Sequence, residues 1–272
     1  MLGSDIPLDN EFVATVLNIV RERTGVDFSS YRPAMLERRI ANRLSAAGAA
    51  DRSDYLQRLL GSADESFRLV ERITIKVSRF YRHAHTFDYL RDTILPELGR
   101  ARAGVPLRIA CVGCGAGEEP YTFAMLLEQA GLEGVIHAFD LDTSALDTAK
   151  AGRYPVSATA ELPTALRDAW LEPIVIHGET RYRVPDNLRA RVSFARGDIT
   201  DSVPGIDYDL VSCRNVLIYL QRSAQARATG YLLEMIRDGG VLCLGEAEWP
   251  LPECLTQLEP LPHRTRLFRV RR

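Results

Sequence analysis

Three glycines within five residues, Gly113-Cys114-Gly115-Ala116-Gly117, are followed directly by two carboxylates, Glu118 and Glu119. Glycine lets a backbone turn tightly and approach a ligand closely, so Gly113 and Gly115 are candidates for contact with a cofactor. The spacing is G-x-G-x-G, not the G-x-G-x-x-G of dinucleotide sites. The acidic pair also argues against phosphate, because an anion at a helix N-terminus needs an uncharged or basic nest. A ligand with a positive end is favoured instead. S-adenosylmethionine, with its sulfonium and ammonium groups, meets that requirement.

Two further carboxylates sit where ligands of open α/β sheets are held. Asp140 ends the run Val135-Ile136-His137-Ala138-Phe139, the place where an acid takes ribose hydroxyls. Its competing role is helix capping together with Asp142 or Thr143. Asp198 ends a later apolar run, within reach of an adenine amine; Asp201 and simple turn chemistry compete for that role. Cys111 and Cys114 form a C-x-x-C, but no second pair completes a metal site. Five cysteines with no framework spacing read as reduced, mostly buried thiols.

The elements that position these groups follow from periodicity. From residue 107 on, apolar runs at Leu107–Val112, Val135–Phe139, Val192–Ala195, Asp209–Cys213 and Gly240–Leu244 alternate with helical stretches near Pro120–Ala130, Thr143–Ala151 and Ala224–Ile236. Alternation of that kind predicts a parallel, Rossmann-like α/β sheet covered on both faces. Residues 173–184 predict a β-hairpin turning at His177-Gly178-Glu179-Thr180, a small insertion at about 170–190. Residues 10–99 carry helical signals alone. Among them are a stripe of Met35, Leu36, Ile40 and Leu44, a helix from Asp51 or Ser53, and one from near Asp64 bearing Phe67, Val70 and Ile73. The expected organisation is a helical domain over 1–99 and an α/β domain over 100–272. A net charge of −2 argues against a nucleic-acid partner. The absence of an apolar stretch of roughly 18 residues argues against membrane insertion. Without a signal-peptide pattern at residues 1–5, the expected location is the cytoplasm.

Several runs resemble the chemotaxis receptor methyltransferases, the CheR family. They are Ser78-Arg79-Phe80-Tyr81-Arg82, Gly115-Ala116-Gly117-Glu118-Glu119-Pro120-Tyr121 and Phe139-Asp140-Leu141-Asp142. Ala149-Lys150-Ala151-Gly152-Arg153-Tyr154 and Cys213-Arg214-Asn215-Val216-Leu217-Ile218-Tyr219 continue the match, and Gly245-Glu246-Ala247-Glu248 is a weaker echo. The resemblance implies an S-adenosylmethionine-dependent methyltransferase that esterifies glutamate side chains of chemoreceptors and leaves S-adenosylhomocysteine. By similarity, Glu118 binds the methionine ammonium, Asp140 the ribose, and Asp198 and Ile199 the adenine side. Asn215 and Val216 hold the methionine portion, while Arg82 and Tyr219 face the reacting groups. For Arg82 the competing role is a surface ion pair, and for Tyr219 it is core packing. Arg32, Arg39 and Arg43 lie at i, i+7 and i+11 beside Leu36, Ile40 and Leu44, one stripe of the helix at about 32–46. In the family such a helix meets the acidic receptor helix; a solvated face is the alternative. The expected partner is therefore the chemoreceptor cytoplasmic helix, met by a monomer.

Departures from the family pattern qualify the implied site. Lys76 stands where asparagine is common at the cofactor, Ser78 where threonine is common, and His83 where an acid is common. Lysine at 76 either pairs with the methionine carboxylate or turns outward and weakens binding. Members that dock on a receptor-tail pentapeptide have a longer loop in the β-insertion, so the short turn at 177–180 implies independence of that tether. Two other functions compete. One is a diverged chemosensory module that binds cofactor or receptor with little transfer, suggested by Lys76. The other is a small-molecule methyltransferase, against which the arginine helix and the C-R-N-V-x-I-Y run argue.

Overall fold

A computed structural model describes residues 8–74, 78–262 and 265–272. The chain divides into two compact units, the first ending before Ser78 but also containing Tyr219–Ala224. In the first lie α1 (Asn10–Thr24), α2 (Pro33–Ala46), α3 (Arg52–Gly61) and α4 (Ala63–Ile73). Asp9 opens α1 by accepting from the Phe12 N–H at 2.8 Å, and Gly25, in the left-handed region, closes it. Asp51 caps α3 through the Asp54 N–H at 2.9 Å. Val16, Val20, Ile40, Leu44, Tyr55, Leu59 and Leu69 form the buried core of this unit. The expected apolar stripe of α2 is buried, whereas Phe67 on α4 is exposed and Leu69 points inward instead. Residues 219–224 join the unit through a Tyr31–Leu220 bridge and a bond from the Arg32 N–H to the Tyr219 carbonyl at 2.9 Å.

The second unit begins with helices that the sequence pattern had grouped with the first. α5 (Ala84–Tyr89) runs through a π turn at Leu90–Ile94 into α6 (Leu95–Ala101), and its Phe87, Leu90, Ile94 and Leu98 pack into the sheet's core. The boundary expected at 99/100 therefore falls earlier, before Ser78. The α/β part contains β1 (Leu107–Val112), α7 (Glu118–Gln129), β2 (Gly134–Asp140), α8 (Thr143–Ala151), β3 (Arg153–Pro155), α9 (Thr164–Trp170), β4 (Glu172–Ile176), β5 (Glu179–Arg183) and α10 (Asp186–Arg189). It ends with β6 (Val192–Arg196), β7 (Tyr208–Cys213), α11 (Arg222–Met235), β8 (Ile236–Leu244), β9 (Leu258–Pro260) and β10 (Leu267–Val270).

Seven strands form one sheet in the order β6-β2-β1-β7-β8-β10-β9. The first five are parallel and β10 is antiparallel to both its neighbours. Every residue of β7 is buried, as are five of the six in β1; strands covered on both faces read as continuous apolar runs. Chain order proceeds outward from β1 in one direction and then restarts at β7 on the other side. The crevice at the carboxyl ends of β1 and β7 is thus the topological switch point, where α/β sheets bind ligands. A separate antiparallel sheet, β3-β5-β4, forms the insertion. Its hairpin turns in two residues, His177 (φ 50°) and Gly178 (φ 80°), the doubly positive φ of a type I′ turn.

Candidate active site

The loop after β1 is shaped by what approaches it. Gly113 has φ 71°, and a Cβ there would lie 2.2 Å from Val216 Cγ2. Only glycine fits both conditions. Gly117, φ 93°, is equally confined, since a Cβ would meet Ala149 Cβ at 2.7 Å. The N–H groups of Gly113 and Cys114 both donate to the Phe139 carbonyl, at 2.8 and 3.0 Å, which ties the loop to the end of β2. Asp140 completes the tie. Its Oδ2 accepts from the Gly115 N–H at 2.7 Å and its Oδ1 from the Asp142 N–H at 2.9 Å. Capping of α8 falls to Asp142, which accepts from the Ser144 and Ala145 N–H groups. Asp140 is therefore a loop-end carboxylate and not a helix cap.

Glu118 opens α7 directly behind this loop, and its residue is only 6% exposed. Burial pushes its carboxyl above the ordinary value, while a hydrogen bond with Ser78 pulls it back. Among the described residues its buried Oε2 has no hydrogen-bond partner. Leaving an ionised oxygen buried and unpaired is costly, and among the described residues no positive group meets it. The ammonium of S-adenosylmethionine supplies such a group, and the residues present fit that cofactor.

At the ends of the flanking strands the other expected residues take their places. Asp198 uses Oδ1 to accept from both the N–H and the hydroxyl of Thr200, each at 2.8 Å, so this oxygen serves the turn. Ile199 beside it is buried. Asn215 adopts φ 61° just after β7, a conformation asparagine tolerates better than most residues. Glu248, unassigned in the sequence reading, holds it there. The buried Glu248 carboxylate accepts from the N–H groups of Asn215 at 2.8 Å, Gly245 at 2.7 Å and Ile218 at 3.3 Å. Tyr154, which also drew no role, donates to the Ala116 carbonyl at 2.7 Å from beneath the glycine loop.

Arg82 lies between two residues of positive φ, Tyr81 (60°) and His83 (63°). Arg214, missed as a site residue because its partner Glu119 is remote in sequence, packs against that segment. The His83 imidazole is held below its ordinary pKa by burial and by the Arg214 charge. Tyr219 groups with the helical unit, where its carbonyl accepts from the Arg32 N–H. Lys76 lies outside the described residues.

The arginine stripe of α2 is not uniform. Arg43 turns inward and forms a two-pronged ion pair with the buried Glu65, with Nε to Oε1 at 2.8 Å. Its half-buried guanidinium is committed to Glu65 and departs from the expected receptor-facing role. Arg32 donates from Nε to the Leu220 carbonyl at 3.1 Å while remaining exposed overall. Arg39 has a buried Nε without a hydrogen-bond partner among the described residues, and burial and Arg38 lower its pKa. All five cysteines are buried, and burial raises the thiols, Cys243 to about 12; they behave as small hydrophobes. Among the described residues no helix is long and apolar enough to cross a membrane.

Residues 76–261 match the CheR methyltransferase, SAM binding domain, and residues 13–74 the CheR methyltransferase, all-alpha domain. The chain belongs to the CheR methyltransferase family. Its α/β unit is accordingly an S-adenosylmethionine-binding domain, and its first unit is the family's all-helical domain. A probable biofilm formation methyltransferase of Pseudomonas putida is 34% identical over 85% of this chain and 55% of its own length. A chemotaxis protein methyltransferase of Listeria monocytogenes is 30% identical, covering 85% of this chain and 87% of its own. A probable chemotaxis protein methyltransferase of Rhizobium etli is 27% identical over 82% and 87%. The chain thus spans about half the length of the Pseudomonas relative.

Proposed function

We propose that this CheR-family methyltransferase transfers the methyl of S-adenosylmethionine to glutamate side chains of chemoreceptor cytoplasmic helices, forming γ-methyl esters. The observation that carries the reading is the buried oxygen of Glu118, without a hydrogen-bond partner among the described residues, behind the glycine loop at the switch point of the sheet. When bound, the cofactor supplies an electrophilic methyl. Glu118 takes its ammonium, with Ser78 holding the carboxylate in place; Lys76, outside the described residues, either pairs with the methionine carboxylate or turns outward and weakens binding. Asp140 takes the ribose hydroxyls, and Asp198 with Ile199 the adenine. Gly113, Gly115, Asn215 and Val216 line the methionine portion.

The acceptor needs no general base, because a glutamate carboxylate with a reference pKa of about 4.3 is already ionised near neutral pH. What remains is orientation. Arg82 grips the acceptor carboxylate through its planar fork, and Tyr219 lines its approach. On the helical unit, Arg32 and Arg39 meet the acidic receptor helix, while Arg43 serves the fold. The two-residue turn at His177-Gly178 leaves the insertion without the longer loop of tethered members, which supports pentapeptide-independent action.

Calorimetry with S-adenosylmethionine and S-adenosylhomocysteine tests the cofactor. Labelled methyl transfer to a chemoreceptor cytoplasmic fragment, with label released by mild alkali, tests the ester. Binding of neither cofactor form, or transfer of alkali-stable label alone, refutes the proposal. Heat of binding from a receptor-tail pentapeptide would refute the tether-independent part.

A further inference from the structure

Arg214 follows β7 directly, and its side chain is only 3% exposed. Its guanidinium donates in two directions. Nη1 reaches Glu119 Oε2 on the first turn of α7 at 2.9 Å. Nη2 reaches the Arg82 carbonyl at 2.7 Å and His83 Nδ1 at 3.0 Å. The face of the group rests on Phe87, 5.0 Å from the ring centroid. Guanidinium has no acceptor, so His83 Nδ1 must carry a lone pair in this contact. The imidazole proton then sits on Nε2, which faces Glu246 Oε2 at 3.6 Å.

The segment so gripped is one that does not hold its shape unaided. Tyr81 and His83, on either side of Arg82, both have positive φ, a conformation that persists only where the surroundings over-determine it. Other bonds fix its flanks: the Phe80 N–H donates to the Ala158 carbonyl, the Tyr81 N–H to Thr122 Oγ1 and the His83 N–H to Glu161 Oε2. Arg214 holds the Arg82 carbonyl itself. Stability alone does not account for the pair. Replacing a buried ion pair by well-packed apolar residues is often neutral or stabilising. What an apolar pair cannot reproduce is the direction of the fork, which sets one peptide carbonyl against the cofactor-binding helix.

We infer that Arg214, anchored by Glu119, is a positioning residue for methyl transfer: it fixes the backbone of Arg82 and thereby aims the Arg82 side chain, without touching cofactor or acceptor. The inference rests on the proposed role of Arg82 in orienting the acceptor carboxylate. Lysine at 214 keeps the charge beside Glu119 but, with its donors on a single atom, cannot hold Glu119 and the Arg82 carbonyl apart in the same fork.

The test uses the full chain as wild type, R214K, R82A and R82A/R214K. Three quantities are read: cofactor affinity by calorimetry, single-turnover transfer of labelled methyl to a chemoreceptor cytoplasmic fragment, and deuterium uptake of the amides at 80–84. R214K is expected to slow transfer about ten- to hundredfold, as for a slightly misplaced catalytic group, with cofactor affinity kept within about threefold. Uptake at 80–84 should rise. With Arg82 already removed, R214K should cost less than about twofold, because the two act through one geometry. An equal loss in both backgrounds, or unchanged uptake at 80–84, overturns the inference while leaving Arg82's role intact. Wild-type transfer by R82A overturns the role of Arg82 and the inference with it. If R214K fails to fold, E119M/R214M and R82A/E119M/R214M, which remove both charges of the pair at once, make the same comparison.

Discussion

Replacing Glu118 by glutamine keeps the size and one acceptor of a side chain that is 6% exposed, but removes its charge. Among the described residues that charge has no compensating cation in the cofactor-free protein, and burial holds the carboxyl above its reference value of 4.5. A raised folded pKa means that the native state keeps a proton the unfolded chain has released. The favourable contribution is full below about pH 4.5 and is lost as pH rises through the folded value. Near neutral pH the substitution should therefore stabilise the free protein. Cofactor binding should respond in the opposite direction. Unit charges about 4 Å apart attract by about 4 kcal/mol at an effective dielectric of about 20. Stripping water from the ligand ammonium takes back part of this, leaving about 2–3 kcal/mol, or about 30- to 160-fold in affinity. Calorimetric titration of wild type and E118Q from about pH 5 to 8 reads both effects. Wild-type affinity should rise with pH through the Glu118 pKa, and that component of the rise should vanish in E118Q, whose melting temperature exceeds wild type at neutral pH. Equal affinity and equal pH dependence in the two proteins would refute the assignment of Glu118 to the ammonium.

Gly113→Ala must place its Cβ 2.2 Å from Val216 Cγ2 at φ 71°, so a loss of at least about 2 kcal/mol is expected by denaturant titration. G113A/V216A should recover the clash but not the backbone strain, and G113A within about 0.5 kcal/mol of wild type would contradict the loop geometry. Arg43→Ala leaves Glu65 buried without its cation and should cost about 3 kcal/mol of stability. Arg39→Ala should leave stability within about 0.5 kcal/mol and instead raise the KM for a receptor fragment; the reverse pattern would restore Arg43 to the receptor face. His83 has a folded pKa below its ordinary 6.5, so its neutral form favours the native state above that value. Stability should fall as pH drops below 6.5 and on through the folded pKa, and melting curves of H83Q should lack this component.

Local chemistry was legible and remote pairing was not. β1 at Leu107–Val112 and α8 at Thr143–Ala151 begin and end where the sequence pattern places them, because an apolar run and an aspartate cap are written in adjacent residues. β8 starts four residues earlier than its apolar run, at Ile236, where Arg237 pairs with the buried Asp209 of β7. β9 and β10 are three and four residues long and include Pro260 and Arg269. The pairing of β10 with β8 and of β9 with β10 makes them strands, and no short run announces that.

The site divides along the same line. Glycines and strand-end acids declare themselves because a turn of positive φ and a carboxylate beyond a strand are local statements, and Gly113, Glu118 and Asp140 could be named from them. Arg43 shows the opposite case. Its helical spacing puts it on a face shared with Arg32 and Arg39, and spacing alone reads that face as solvated or receptor-bound. The residue that decides the matter is Glu65, 22 positions away, itself an unremarked acid on a stripe where Phe67 looked like the better core residue. Arg214 and Glu119 are 95 positions apart, and each in isolation reads as a charge next to a motif. Together they form an ion pair whose arginine is buried, and a buried charge constrains its neighbours more tightly than an apolar side chain, because it must be met by partners in fixed directions. Periodicity reports which way a side chain faces; the partner that it meets there determines whether it binds, aims or only packs.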